Sequence, residues 1–498
     1  MTKQAITPAT AWVANLTNPY TDQSYQDGDR PTSGMGLAKY SSQDIEIIQP
    51  QAGLTTTNRF YKQYTGLEYN VKVSVIGGDF SALAYSLTTA PSGMTINAAT
   101  GEITWANPIE AGSPHSVTAE VTDGLTTDTV SWTVTVTTSG FLFIDSTVST
   151  SGVGTIGDPM KLWTDFYLAT EADSTYSGYF LIFRAGTHLV DSNAPATYNG
   201  HQWGTQKPVV MMAYPGETVT QDFSNGYIFA DADCSNFYWD QFRCIDVGQF
   251  VAGADSGGVY VARLTGDNVT FRRNTFVDIA DNIGSHNQAY IMSIDIGAST
   301  HDNWAITENW ADGSDANAYA LCILYSTLKI AIESNEIVNA GNIGIGPKTS
   351  NSKVYIRGNK AEGTGKLFWI YNSSAGLHEV SWNFGTSSGI GKSFTYNHKL
   401  QTATSSSYMF RNTFMESMYY KEVVTANAIL YETDNVIVST ETYGHETGEG
   451  IEESRITKVG SLINSPAANF VSPTTGLLID SYASQNATKG HNGLAGLK

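Results

Sequence analysis

Cysteine is scarce in this sequence of 498 residues: Cys234, Cys244 and Cys322 are too few for a disulfide framework, and the odd count favours buried, small apolar roles. Positive charge is scarce as well. With 27 Lys and Arg against 47 Asp and Glu, the formal net charge is −20, so nucleic acid or an anionic membrane would be repelled along the whole approach. An anionic glycan met by a local basic patch remains compatible with this balance. No segment nears the ~20 consecutive apolar residues of a membrane span. The opening residues, MTKQAITPATAWVANLTNPY, hold no apolar run of the signal-peptide kind. That fits a trimmed chain, or a virion component that leaves its cell without a signal. Helical periodicity is rare throughout.

What is present instead is the material of sheets and turns. Forty-seven Gly, 27 Tyr and abundant Thr, Ser and Asn in a chain that is 41% hydrophobic point to an all-β protein, because β-branched and aromatic residues fit pleated surfaces. The length exceeds the ~250–300 residues at which a single core stops growing. Residues 1–45 are polar and aperiodic, and read as an arm or linker. From 46 to 138, short alternating segments (NVKVSVI, AYSL, GEITW, SVTAEV, VSWTVTV) alternate with turn clusters, the pattern of a small antiparallel sandwich.

Residues 139–498 carry an internal repeat. The segments VTFRRN, WAITEN, IAIESN, VYIRGN, HEVSWN and SYMFRN end at Asn274, Asn309, Asn335, Asn359, Asn383 and Asn412, at intervals of 35, 26, 24, 24 and 29. An interval near 24, stretched where a loop is inserted, suits one coil of a parallel β-solenoid. Three residues before each Asn stands a large apolar side chain: Phe271, Ile306, Ile332, Ile356, Val380, Met409. Period-two alternation turns that row inward. The Asn is expected to take left-handed backbone geometry at the bend and to bond its counterparts on neighbouring coils as a ladder. Roughly eleven such coils, at ~4.8 Å per strand, make a rod on the order of 50 Å long.

Two resemblances sharpen this picture. The piece YSLTTAPSGMTINAATGEITW with VTDGLTTDTVSWTVTV resembles the immunoglobulin-like, cadherin-like modules attached to extracellular carbohydrate-active proteins, which implies a spacer without chemistry. The order FIDSTVSTSGVGTIGDPMKLWTDFYLAT, GYFLIFRAGTHLV, KPVVMMAYPGETVT resembles the opening of a pectin-lyase-like right-handed parallel β-helix, with a capping helix near 159–170 over the exposed end of the stack. The closing LINSPAANFVSPTTGLLIDSYAS resembles the segments with which such folds end.

A parallel β-helix holds elongated polymers along an outer face, so the informative residues are those aligned on successive coils. The segments YALCILYS (319–326), IGIGPKTS (343–350), LFWIYNSS (367–374) and SFTYNHKL (393–400) should be neighbours. They gather Tyr325, Lys348, Trp369, Tyr371, Asn372, Tyr396, Asn397, His398 and Lys399. Aromatic faces stack on sugar rings, while amides and cations meet hydroxyls and carboxylates. A second outward column, Arg272, Glu333, Arg357 and Ser381, mixes charges as solvated faces do.

The resemblance implies a polysaccharide lyase acting on a uronic-acid-containing polysaccharide. β-Elimination needs the carboxylate neutralised, a base for the C5 proton and an acid for the leaving oxygen. Those types are present: Lys348 or His398 as base, Tyr371 or Tyr396 as acid, Arg357 with Asn372 near the carboxylate, and Tyr325, Trp369, Asn397 and Lys399 as substrate-binding groups. For Ca²⁺, the segment ADGSDAN offers Asp312 and Asp315 beside Glu308, without the full loop pattern. His286 and His301 lack zinc spacing. A glycoside hydrolase on the same fold would need a carboxylate pair from Asp278, Asp281 and Asp295. A phage tail spike, fibre or adhesin would hold glycan without cutting it, as a homotrimer rather than a monomer. Either protein works outside the cell or on a virion.

Overall fold

The computed structural model describes residues 44–52 and 58–162 without a break and, between 178 and 478, the strands and adjoining turns. In the third parallel sheet and the last coils it describes chiefly backbone. The chain is all-β, an immunoglobulin-like sandwich followed by long parallel sheets.

The sandwich pairs a four-stranded sheet (Lys62–Tyr64, Thr127–Thr137, His115–Thr122, Ala84–Thr89) with a three-stranded one (Tyr69–Lys72, Glu102–Trp105, Met94–Ile96). Strict alternation decides which residues fill it. Along Thr127–Thr137, Val130, Trp132, Val134 and Val136 are buried and their neighbours face out. They meet Val71, Ile103, Trp105, Val117 and Val121 from the other strands. A further pair, Glu46–Gln49 with Ser74–Ile76, runs antiparallel at one side.

After Phe141–Ile144 the chain rotates through three parallel sheets of 12, 11 and 8 strands, visiting each in turn. The first includes Phe180–Phe183, Val210–Ala213, Tyr238–Asp240, Thr270–Arg272, Trp304–Thr307, Lys329–Glu333, Lys353–Arg357 and Leu377–Ser381. Phe271, Ile306, Ile332, Ile356 and Val380 are its fully buried inner row, as the repeat predicts.

The ladder forms at the corner between the first and second sheets. Each of Asn274, Asn309, Asn335, Asn359 and Asn383 donates from Nδ2 to Oδ1 of the next Asn, at 2.9–3.0 Å. Its backbone N–H donates to the same oxygen at 2.9–3.0 Å. The left-handed residue, however, is the one before the Asn. Arg273, Glu308, Ser334 and Gly358 have φ of 53°, 60°, 57° and 63°, and each donates its N–H to a carbonyl of the next coil, as in Ser334 to Arg357 at 3.1 Å. That bend frees the Asn to turn its amide into the buried corner.

A second Asn ladder, unforeseen in the sequence, runs along the opposite edge of the first sheet. Asn303 Nδ2 donates to Asn268 and Asn268 Nδ2 to Asn236, both at 3.1 Å. All three have left-handed φ, between 59° and 66°. Here the Asn itself is the bend residue, as its tolerance of that geometry allows.

Met160 does not begin a helix. It pairs with Ile144 as a parallel bridge, and its N–H donates to the Phe143 carbonyl at 2.9 Å. Pro159, Lys161 and Leu162 are likewise not helical; residues 163–170 of the expected capping segment, and the arm before residue 44, lie outside the described residues.

Nor is the sandwich a spacer hung on a linker. It lies on the outer face of the first sheet, and the two units share one core: Phe141, Phe143, Phe180, Ile182, Val210, Met212 and Tyr238 from the sheet pack with Phe60, Trp132 and the sandwich interior. Further along, Ile48 and Ile76 cover Ala331 and Tyr355. This is why strands such as FLIF, VMMA and WAIT are buried on both faces.

Candidate functional site

The four strands singled out for glycan contact are neighbours in the third sheet: Ala318–Leu324, Ile343–Pro347, Lys366–Asn372 and Phe394–Leu400. Their register divides the candidates. Phe368, fully buried, pairs with Ile345 on one side and Tyr396 on the other. Trp369 pairs with Asn397, Ile370 with His398, and Tyr371 with Lys399. Successive residues of a strand belong to opposite faces. Tyr396 and His398 therefore share the parity of Phe368, whereas Trp369, Tyr371, Asn397 and Lys399 share the other. Asn372, in register with Leu400, falls in the Phe368 set. Tyr325, Lys348 and Asp315 lie outside the described residues, as do Asp278, Asp281 and Asp295 of the hydrolase alternative.

Arg357 is not part of that face. It stands on the first sheet, fully buried, with Glu333 bonded to Nε at 2.9 Å and Glu379 4.0 Å from Nη1. The remaining donors reach the sandwich backbone: Nη1 to the Gly77 carbonyl at 2.8 Å and Nη2 to that of Val75 at 2.7 Å. Burial works against its charge, but Glu333 and Glu379 more than restore it, and its pKa is raised. At 0% exposure, with Nε, Nη1 and Nη2 each bonded to Glu333 or the sandwich, it offers nothing to a substrate carboxylate. Gly77 makes the contact possible. Its φ is +75°, and a Cβ there would stand 2.0 Å from the Asp44 carbonyl oxygen.

The rest of the outward column is buried with it. Arg272, 1% exposed, donates to Glu308 at 2.6 Å, to Glu102 at 2.8 Å and to Asn70 Oδ1 at 2.6 Å. Lys72 reaches Glu308 at 3.0 Å, and Arg273 pairs with Asp240 at 2.5 and 2.8 Å. Gln49 from the sandwich donates to the carbonyls of Val269 at 3.0 Å and Asn303 at 2.8 Å, and accepts from Thr270. Signs alternate here because the charges satisfy one another across a seam whose arginines Arg272 and Arg357 are buried, while Glu102, Glu308 and Arg273 reach its partly exposed edge.

This arrangement removes Glu308 as a calcium ligand. Burial would raise its carboxyl pKa, but Lys72 and Arg272 outweigh that and bring it down to about 2; two cations occupy the oxygens a metal would need. Asp312 accepts from Asn339 Nδ2 at 2.8 Å. Among the described residues no group of His, Cys, Asp or Glu could hold a metal ion. His301 accepts from the Gly266 N–H at Nδ1, 3.0 Å away, and Cys244 is a buried free thiol. No helix of the described residues is long and apolar enough to cross a membrane.

Residues 51–137 match the family model described as Putative Ig domain. No curated protein matches the chain. Two solved structures, a putative alpha-galactosidase and a putative alpha-galactosidase/melibiase, both from Bacteroides fragilis, are similar over 42% and 43% of this chain and 54% of theirs. Identity is 10% and 12% and the TM-scores are 0.19 and 0.18. The chain spans about half the length of those two proteins, and likeness at that score carries no structural argument.

Proposed function

We propose that the three-sheet unit is a right-handed parallel β-helix of the pectin-lyase-like kind, and that it cleaves an acidic polysaccharide by β-elimination on the outer face of the third sheet. Strands that rotate through three sheets, with an Asn ladder at one corner, support the fold reading. The sandwich covers the first sheet from Phe141 to Tyr355, which directs an elongated polymer elsewhere. The observation that carries the reading is the register of the third sheet, in which Trp369 and Tyr371 stand beside Asn397 and Lys399 with parity opposite to buried Phe368.

In this reading Trp369 stacks on a sugar ring, and Asn397 and Lys399 meet the uronate carboxylate, so that the C5 proton becomes acidic. The neutral amine of Lys348 takes that proton. The C4–O bond breaks, its electron pair leaves with the oxygen, and Tyr371 protonates that oxygen as a C4–C5 double bond forms. Parity with Phe368 makes His398 and Tyr396 the second choices. Such an enzyme works outside the cell that makes it, or on a virion.

The test is a panel of acidic polysaccharides followed by absorbance at about 235 nm, where an unsaturated uronate absorbs, with and without chelator. Lys348→Ala and Tyr371→Phe should each lose at least ~10²-fold in rate while His398→Ala keeps most of it. Wild-type rates in the Lys348 and Tyr371 variants overturn the assignment. New reducing ends without absorbance would establish a hydrolase, and binding without either product, by a trimer in light scattering, a spike or adhesin.

A further inference from the structure

We propose that the seam between the sandwich and the first parallel sheet binds a small monovalent anion of the halide class, held by Arg59 and Tyr238. Arg59 is 0% exposed, and its guanidinium lies 5.0 Å from the centre of the Tyr69 ring. Nη1 donates to Gln63 Oε1, a neutral amide oxygen, at 2.6 Å. Its Nε is buried without a hydrogen-bond partner, and so is the hydroxyl of Tyr238, a residue only 2% exposed. Tyr69, under the guanidinium, donates its hydroxyl hydrogen to the Phe60 carbonyl at 3.0 Å, and Phe60, Tyr69 and Tyr238 belong to one buried cluster. Arg59 and Tyr238 are also joined by packing, because the neighbouring Phe60 ring meets Tyr238 edge-on at 6.2 Å.

The charges around them do not balance. Four cations, Arg59, Arg272, Arg273 and Lys72, face Glu102, Asp240 and Glu308, and every one of those carboxylates is already engaged. Asp240 is held by Arg273, Glu308 by Arg272 and Lys72, and Glu102 by Arg272 and Asn70. Arg59 is the one of the four with no ion pair among the described residues: Asp240 acts on it only from a distance. A buried guanidinium without a counter-charge is strongly disfavoured, and a donor-only group with an unpaired N–H, in one cluster with an unpaired phenol hydroxyl, invites an acceptor. A water molecule would accept both hydrogen bonds but leave the charge uncompensated. A halide does both, and being monatomic it brings no further polar group needing a partner among side chains as buried as Arg59 and Tyr238. It would also clamp the two units, since Arg59 belongs to the sandwich and Tyr238 to the sheet.

Thermal unfolding of the full-length chain in sodium chloride or bromide, against sodium gluconate at equal ionic strength, tests this directly. The midpoint should rise with halide concentration and stay flat in gluconate, as linkage requires of a ligand bound only by the folded state. Tyr238→Phe should weaken the halide dependence, and Arg59→Met should abolish it. Bromide-soaked crystals should show an anomalous peak beside Arg59 Nε. Equal midpoints in halide and gluconate, or density there with no anomalous signal, overturn the proposal by showing water alone. Both of these readouts use the wild-type chain, so they decide the matter even if Arg59→Met does not fold.

Discussion

Arg357 and Lys360 are three residues apart on one coil, yet they face different surroundings. Lys360, on the second sheet and 29% exposed, pairs with Glu336 and Glu362, both at 2.8 Å. Arg357, 0% exposed, meets Glu333 and two backbone carbonyls of the sandwich. The pairs look alike in a sequence of mixed charges, but water remains to stabilise one partner if the other is lost on the second sheet, and none does so on the first.

The sharpest way to break this comparison is Arg357→Ala. It leaves Glu333 buried without its partner and two carbonyls unsatisfied, and should cost about 3–5 kcal/mol in denaturant unfolding. If the loss stays within about 1 kcal/mol, the seam is hydrated rather than dry. Next in size is acid sensitivity. The Glu308 carboxyl sits at about 2 against an ordinary value of 4.5. A depressed carboxylate contributes stability that is fully present above its unfolded pKa and lost as pH falls through the folded one. On the order of 3 kcal/mol should therefore disappear between about pH 4.5 and 2, and Glu308→Gln should flatten that part of the profile. Smallest is Lys360→Ala, expected within about 0–1 kcal/mol and sensitive to salt.

Much of the parallel region was legible in the sequence because its signals are local. The inner row from Phe271 to Val380 and the ladder from Asn274 to Asn412 recur at intervals set by one coil, and each coil repeats the same surroundings. The left-handed bend was misplaced by one residue. Arg273, Glu308 and Ser334 are unfavourable choices for φ > 0, and the hydrogen bonds between coils that hold them there are not visible in one segment. The second ladder had a signal in principle, an Asn just before the first apolar residue of three strands, but only three rungs of it.

The candidate groove was legible as a set of adjoining strands and not as a set of facing side chains. Register decides the parity that separates Tyr371 from Tyr396, and register depends on how one coil sits on the next. Arg357 eluded sequence reasoning for a different reason. Alternation assigns it outward, and outward normally means solvent.

By itself, the sequence determined the repeat, its inner row, the Asn corner and the alternating strands of the sandwich, because backbone parity and bend chemistry act between residues close in the chain. Only the tertiary structure decided that the sandwich lies on the first sheet. The contacts that dock it, such as Gln49 to Val269 and Arg357 to Val75, join residues 220 and 282 positions apart. Burial and charge pairing over such separations depend on which surfaces meet, and no local pattern carries that.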